Sequence, residues 1–174
     1  YTNEARAYDG QKPLFDDVAA IKNNTDWFKA ISQNGLVQNH NLSVSGGTAN
    51  PDYLFSAGYY TDEGVLKGAQ FDRVSLRANN EYRPFTFAKV GSVLNVNVAK
   101  SNNKSAGAFT DAYRMTPTVP VKDSLGNYGT LDALSVANPL ATLELAHSTW
   151  KGNRFQGNLY GEIEPFKGLV YRSS

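Results

Sequence analysis

The nine residues VSLRANNEY at positions 74–82 decide the fold of this 174-residue chain. Apolar side chains stand at Val74, Leu76, Ala78 and Tyr82, whereas the odd-numbered positions between them are polar. A period of two is the spacing of a β-strand, in which successive side chains point to opposite faces of a sheet. The stretch is therefore predicted to be a strand with a different environment on each face.

The same alternation recurs through residues 39–100 and 154–164, and the apolar face is predicted to carry no charge. Pro84 and Pro165 each begin a Pro-Phe pair and are expected to end their strands in tight turns, because proline has no N–H to donate to a neighbouring strand. The pattern predicts an antiparallel meander of five strands and the start of a sixth, at residues 38–45, 53–61, 73–83, 88–100, 154–164 and 169–172.

Two segments interrupt this pattern. Residues 1–37 are weakly helical, with short helices expected at 16–21 and 25–31. Residues 101–149 form a long connection with one short helix expected at 139–147. Short turns at one end of the strands and long connections at the other are typical of outer-membrane barrels. The predicted divisions are a partly helical extracellular loop (1–37), four barrel strands (38–100), a long extracellular loop (101–149) and a truncated barrel hairpin (150–174).

Two surroundings produce a two-faced sheet: lipid outside with a wet lumen inside, or a protein core with water outside. The chain has no run of about 18 apolar residues and hence no membrane-spanning helix, but alternation hides membrane strands from such a search. The polar face is rich in Asn, Ser, Gln, Arg and Tyr, and the sequence offers no second layer to cover the apolar face. Lipid is favoured. The predicted lipid face comprises Leu42, Val44, Tyr53, Phe55, Ala57, Tyr59, Val74, Leu76, Ala78, Tyr82, Val90, Leu94, Val96, Val98, Phe155, Leu159 and Ile163.

Composition excludes several classes of function. Lys and Arg number 17 against 16 Asp and Glu, so the net charge of +1 gives no argument for nucleic-acid binding. Cysteine is absent, which excludes disulfides and thiolate chemistry. His40 and His147 lie far apart in the sequence without a helical partner, so neither a metal site nor a cofactor is predicted.

Catalytic motifs are weak. Glu162 and Glu164 share a strand face beside a turn, but no supporting motif makes them a glycosidase pair, and the chain has no nucleophile elbow or phosphate-binding loop. The acidic pairs at 16–17 and 62–63 lack the spacing of a calcium-binding EF-hand. An enzyme is therefore not expected. Two alternatives to a membrane barrel stay open: a soluble β-sandwich glycan-binding module, and a glycoside-acting enzyme with a β fold.

Contact with a substrate is expected on the polar face. Amides and aromatic rings suit the hydroxyls and rings of sugars, and they suit peptide backbones equally well. Ordinary polarity of a wall is the alternative reading for each residue. The candidate lumen residues are Arg77, Asn79, Asn95, Asn97, Gln156, Asn158 and Tyr160.

A succession of short motifs covers most of the chain from residue 25 onward. The motifs are TDW (25–27), QNHNLSVSGG (38–47), YLFSAGY (53–59), EG (63–64), KG (67–68), FDRVSLRAN (71–79), MTP (115–117), PV (120–121), GNY (126–128) and NPLA (138–141). In this order they closely resemble the SusC/RagA family of TonB-linked transporters in the outer membrane of Bacteroidota, which are Gram-negative bacteria.

The resemblance implies a 22-stranded barrel with an N-terminal plug, under a SusD-like surface lipoprotein that forms a lid. Such a transporter imports oligosaccharides or peptides with energy passed on through TonB. Its partners here are expected to be that lipoprotein, lipid, the remaining barrel and plug, and TonB through an N-terminal region that this chain lacks. The opening residues resemble neither a protein start nor a signal peptide, so an internal piece is expected. Within residues 101–149, with Tyr113 and Trp150 near the ends, contact with the lipoprotein or cargo is expected.

Overall fold

A computed structural model describes residues 2–14, 21–48, 50–130, 135–146 and 148–174. The chain divides into two compact units. The sheet unit comprises Asn34–Gly64, Gly68–Asn103 and Ser148–Ser174, and the helical unit comprises Tyr1–Gln33, Val65–Lys67 and Lys104–His147. No helix in the described ranges has both the length and the apolar character needed to cross a bilayer. The helix expected at residues 16–21 falls almost entirely outside the described residues.

The sheet unit is a six-stranded antiparallel meander in which each strand pairs with the next one along the chain. This confirms the predicted fold class. Most strands extend beyond the stretches in which apolar and polar residues alternate, and β1 and β6 each have one edge that no described strand pairs with. The strands are β1 (Val37–Gly47), β2 (Pro51–Glu63), β3 (Gln70–Phe85), β4 (Ala88–Asn103), β5 (Ser148–Phe166) and β6 (Leu169–Ser173).

The two Pro-Phe hairpins differ from the prediction that proline ends the strand. Pro84 and Pro165 lie inside β3 and β5, and the turns are made by residues 86–87 and 167–168. In both hairpins the pairing register shifts around the proline. Proline is tolerated there because an irregular pair does not need the missing N–H. The second turn uses Gly168, whose φ of +90° is a backbone conformation that favours glycine.

The helical unit has a small apolar core of its own. Its helices are α1 (Thr2–Tyr8), α2 (Trp27–Ile31), α3 (Gly107–Arg114) and α4 (Pro139–Leu145). Helices α2 and α4 lie within stretches where the sequence predicts helix, whereas α3 was not predicted. The buried core residues are Trp27, Ile31, Ala108, Ala112, Met115, Val119 and Leu143.

The TDW and MTP motifs, far apart in the sequence, bind each other in this unit. The indole N–H of Trp27 donates to the carbonyl oxygen of Thr116 at 2.9 Å. The hydroxyl of Thr25 donates to the carbonyl oxygen of Val119 at 2.7 Å, and its backbone N–H donates to that of Pro117 at 2.8 Å. A buried tryptophan with a satisfied N–H orients the chain more specifically than an aliphatic residue would.

Asn138 of the NPLA motif binds the PV motif and Gly129, the residue that follows GNY. Its side-chain amide is buried and donates to the carbonyl oxygens of Val121 and Gly129 at 3.0 and 2.9 Å. Its side-chain oxygen accepts from the backbone N–H groups of Leu140 and Ala141, and so caps the start of α4. A Cβ atom on Gly129 would lie 2.0 Å from a backbone carbonyl oxygen, so only glycine fits at that position.

A surface cluster joins a tight loop of the helical unit to α4. The Tyr128 hydroxyl donates to a carboxylate oxygen of Glu144, and the ammonium of Lys122 lies 3.2 Å from the same oxygen. That ammonium is also 4.7 Å from the centre of the Tyr128 ring. The hydrogen bonds from Tyr128 and Lys122 hold the pKa of Glu144 below its ordinary value.

Candidate substrate-facing site

In β2 the apolar face is the more exposed one, and elsewhere in the sheet the apolar side chains also keep large exposed surfaces. In β2 the side chains of Tyr53, Phe55 and Tyr59 are 43–50% exposed, whereas the residues that alternate with them are half-buried. Leu76 and Leu159 keep 50% and 73% of their surface exposed. In a water-soluble sheet the apolar side would be the buried one. No layer within the described residues covers these side chains.

Strand register aligns the apolar residues into rows that cross the sheet. The central row runs from Leu42 through Ala57, Leu76 and Val96 to Phe155, one residue from each of the first five strands. Every member is apolar. The predicted lipid face is thus one continuous band and not a set of separate patches.

The prediction that this face carries no charge is wrong at one end. Asp72, Lys100 and Lys151 stand opposite one another on the same face as Val74, one row beyond it. Asp72 accepts a hydrogen bond from the Thr61 hydroxyl at 2.8 Å. From the row of Val74 to the Pro-Phe hairpins, the face has no Asp, Glu, Lys or Arg. The charges mark where the apolar band ends.

The opposite face brings the candidate lumen residues together. Arg77 lies opposite Asn95, which in turn lies opposite Gln156. Asn79 and Asn158 lie one row away, separated by Val93 of β4. These side chains form a polar track across three strands.

The row on the other side of Arg77 contains Asn97, another candidate. Asn97 pairs with Ser75 on β3 and with Arg154 on β5. Arg154 was not among the predicted site residues, although its even number on β5 places it on the face of Gln156. Of the seven candidates, six fall within these three neighbouring rows.

Tyr160, the seventh candidate, belongs to a separate cluster near the hairpins. Its hydroxyl donates to the Glu81 carboxylate at 2.8 Å, and the guanidinium of Arg172 lies 4.1 Å from the centre of its ring. A Cβ atom on Gly91 would lie 2.3 Å from the ring, so the ring occupies the space above that glycine. Tyr160 is therefore held by contacts with Glu81, Arg172 and Gly91.

The same cluster contains a chain of ion pairs that sequence reasoning missed. Glu81 pairs with Arg83 at 2.9 Å and with Lys89 at 3.5 Å. Lys89 lies 3.4 Å from Glu162, which lies 3.9 Å from Arg172. The members come from four strands, β3 to β6. Only the register reveals them, because no short sequence segment contains the set.

Comparisons with known proteins agree with this geometry. No family model matches the chain. The whole chain is 27% identical over 177 aligned residues to TonB-dependent receptor P26 of Formosa agariphila, and 78% of it is 29% identical to TonB-dependent receptor SusC of Bacteroides thetaiotaomicron. The chain spans 18% and 16% of the lengths of those receptors.

Solved structures give the same result. The chain is similar to the RagAB peptide importer in its open-open state, with 25% identity and a TM-score of 0.68 over 96% of this chain and 20% of that one. The resemblance to the SusC/RagA family is confirmed. By their names, these similar proteins are a TonB-dependent receptor and a peptide importer.

Two weak motifs can now be placed within this SusC/RagA-like sheet. Glu162 is paired with cations, as described above, whereas Glu164 accepts the backbone N–H of Gly168 at 2.8 Å and so fastens the hairpin turn. The two carboxylates have separate structural partners.

Candidate metal ligands are dispersed in the part of the chain that the structure describes. No group of three His, Cys, Asp or Glu side chains gathers there. The ring of His40 lies 3.3 Å from the side-chain oxygen of Gln38, and Asp62 accepts the Tyr60 hydroxyl at 3.2 Å. His147 and the acidic pair at 16–17 lie outside the described residues.

Proposed function

We propose that the chain supplies six neighbouring strands to the wall of a SusC/RagA-type TonB-dependent transporter that imports oligosaccharides or peptides. One observation carries the proposal: an uncharged apolar band remains exposed, with no second layer over it in the described residues, and the opposite face of the same strands is polar. Water disfavours that arrangement and a bilayer favours it, because lipid solvates the apolar side. The lumen candidates then face the transported cargo.

The height of the apolar band supports a bilayer. From the row of Ala88 and Ile163 to the row of Val98, the band extends ten residue steps along β4, which is about 34 Å at ~3.4 Å per residue. A strand tilt of about 40° reduces this to roughly 26 Å along the membrane normal. Outer-membrane barrels carry an apolar band of about 25 Å.

The unpaired edges of β1 and β6 support further strands on both sides. An open sheet edge exposes backbone N–H and C=O groups that lipid cannot satisfy, so only a closed barrel is stable in a bilayer. We propose that the remaining strands of a 22-stranded barrel and its plug complete the structure. The resemblance to SusC and RagAB supports this completion.

We propose a location in the outer membrane of a Bacteroidota bacterium, with a SusD-like surface lipoprotein and TonB as partners. The names of the relatives support this, since two are TonB-dependent receptors and RagAB is a peptide importer. Residues 101–149 remain the segment proposed to contact the lipoprotein or cargo. The gathering of neighbouring rows supports cargo contact by Arg77, Asn79, Asn95, Asn97, Gln156 and Asn158. Tyr160 shares their face but lies in the separate cluster near the hairpins.

Paired cysteine substitutions test the orientation of the wall. Leu76→Cys and Arg77→Cys are neighbours on opposite faces, as are Val96→Cys and Asn97→Cys. In outer membranes from the host, a water-soluble maleimide is expected to label positions 77 and 97 at least tenfold faster than 76 and 96, with the unsubstituted protein as background. Equal or reversed labelling contradicts the proposed wall.

Fractionation tests the soluble alternative. The protein as its host expresses it is expected in the detergent-extracted outer-membrane fraction. Recovery in aqueous buffer without detergent would support the β-sandwich glycan-binding module instead. The exposed Leu76 and Leu159 already count against a sandwich core.

A further inference from the structure

Two aromatic rings on the polar face lie over glycines, but they differ in how they are engaged. The Tyr160 ring lies over Gly91 and is also contacted by Arg172. The six-membered ring of Trp150 lies over Gly152, where a Cβ atom would come within 2.3 Å of it. Trp150 is 52% exposed, and within the described ranges no ring, cation or hydrogen-bond partner contacts its indole. It therefore offers a free aromatic surface.

The polar face next to Trp150 carries arginines without ion-pair partners, and its nearest acid, Asp62, lies in the row of Trp150 itself. Four successive rows, from the row of Arg73 to the row of Asn79, contain Arg73, Arg77 and Arg154 and no Asp or Glu. All three arginines are exposed. Among the described residues, none of them lies within ion-pair distance of a carboxylate.

The acids of this face sit elsewhere and are engaged. Glu81 and Glu162 belong to the ion-pair chain near the hairpins, and Asp62 accepts the Tyr60 hydroxyl. The separation leaves a stretch of arginines and neutral amides between the two acidic regions. A guanidinium presents a rigid fork of donors that matches carboxylate and sulfate oxygens.

We infer that this stretch, which we call the arginine track (Arg73, Arg77 and Arg154 with Trp150), binds an oligosaccharide bearing carboxylate or sulfate groups. The C–H bonds of a sugar ring carry partial positive charge and stack on the negative face of the indole. The arginines contact the acidic groups, and Asn95, Asn97 and Gln156 contact hydroxyls. This inference rests on the proposed transporter and narrows its cargo to acidic glycans.

An oligosaccharide array tests the inference on the purified receptor. The array holds uronate oligosaccharides (oligogalacturonate), sulfated oligosaccharides (chondroitin sulfate), neutral maltoheptaose and a set of casein peptides. At least one anionic sugar is expected to bind more tightly than maltoheptaose and the peptides, with affinity falling as salt is raised. The uronate and sulfate arms distinguish the two acidic groups. Binding to no anionic sugar overturns the inference.

Variants identify the residues that bind. Arg77→Gln and Arg154→Gln are each expected to weaken anionic-sugar binding roughly tenfold while changing maltoheptaose binding little. Trp150→Ala is expected to weaken binding of every bound sugar by roughly tenfold. Phe155→Leu, next to Arg154 but on the apolar face, is the matched control and is expected to bind normally. Unchanged affinity in all three track variants overturns the inference.

A spectroscopic readout separates stacking from a structural role. The fluorescence difference between the unsubstituted receptor and Trp150→Phe isolates the indole at 150, and the bound sugar is expected to protect it from acrylamide quenching. Quenching that is unchanged by a bound sugar overturns the stacking. Outer-membrane fractionation of the same preparations separates the two proposals: correct location without anionic-sugar binding rejects only the arginine track, whereas a soluble receptor rejects the transporter.

Discussion

Large apolar side chains are buried in the core of the helical unit but exposed on one face of the sheet unit. In the helical unit Trp27 and Leu143 keep 3% and 1% of their surface exposed, whereas Leu76 and Leu159 of the sheet unit keep 50% and 73%. The first unit excludes water from a core, and the second presents its apolar side outward. The same apolar residue types are thus buried in one unit and exposed in the other. Substitutions in each unit should show whether its apolar side chains are packed in a protein core or face an external apolar solvent.

The largest effect is expected from the core of the helical unit. Trp27→Ala removes a buried indole and leaves the Thr116 carbonyl oxygen without its donor, so we expect a loss of about 3–5 kcal/mol in the stability of that unit. Limited proteolysis in residues 104–146 measures this. Phe28→Ala, a neighbouring exposed position, is the control. Equal proteolysis of both variants would contradict a core built on Trp27.

A charge introduced into the apolar band should destabilise the sheet unit. Leu76→Lys places an ammonium in the central row, where a bilayer penalises it by about 2–4 kcal/mol. Heat-modifiable migration of the assembled barrel on gels measures the loss. Arg77→Leu, one residue along and on the opposite face of the sheet, is the control and should assemble. Normal assembly of Leu76→Lys would show that this face does not contact lipid.

A smaller effect is expected at Asn138. Asn138→Ala removes the cap of α4 and leaves the Val121 and Gly129 carbonyl oxygens without a donor, at a cost of about 1–3 kcal/mol. Hydrogen exchange in residues 139–145 reports the loosening. Asn138→Asp keeps the capping oxygen but places a buried carboxylate oxygen against these two carbonyl oxygens, so it should loosen α4 at least as much as Asn138→Ala.

The smallest effect concerns pH. The pKa of Glu144 is lowered in the folded protein, so its contribution to stability is present above the ordinary pKa of a glutamate and is lost as pH falls through the lowered value. The protection factors of the amides around Tyr128, which correct for the intrinsic pH dependence of exchange, should therefore fall slightly between neutral and acidic pH. Glu144→Gln should remove most of that pH dependence. A dependence that Glu144→Gln leaves intact would assign it to another group.

The sheet was predictable from the sequence because the alternation of apolar and polar residues and the pairing of strands both repeat every two residues. Once 74–82 is a strand with Leu76 on the apolar face, pairing fixes the faces of its neighbours. The six strands, their antiparallel order and the gathering of six lumen candidates all follow from that period.

Features that depend on several distant segments were not predictable in this way. Helix α3 is eight residues long and buries the small Ala108 and Ala112, so its amphipathic pattern is too short to stand out in the sequence. The ion pairs of Glu81, the position of Arg154 and the free indole of Trp150 required the register between strands. The irregular pairing at Pro84 and Pro165 was also not predictable from the sequence, because a proline can either end a strand or bend it.

The meander has a kinetic consequence. Every described strand pairs with its neighbour along the chain, so most of the hairpins can close locally. Slowly folding β-proteins, in contrast, depend on pairing between distant segments. Residues 104–147 form the longest connection, and joining β4 to β5 across it costs about 2 kcal/mol more loop-closure entropy than joining β2 to β3 across 64–69. Helices within that connection reduce its freedom beforehand, and the fourth-to-fifth strand step is where we expect assembly to be slowest.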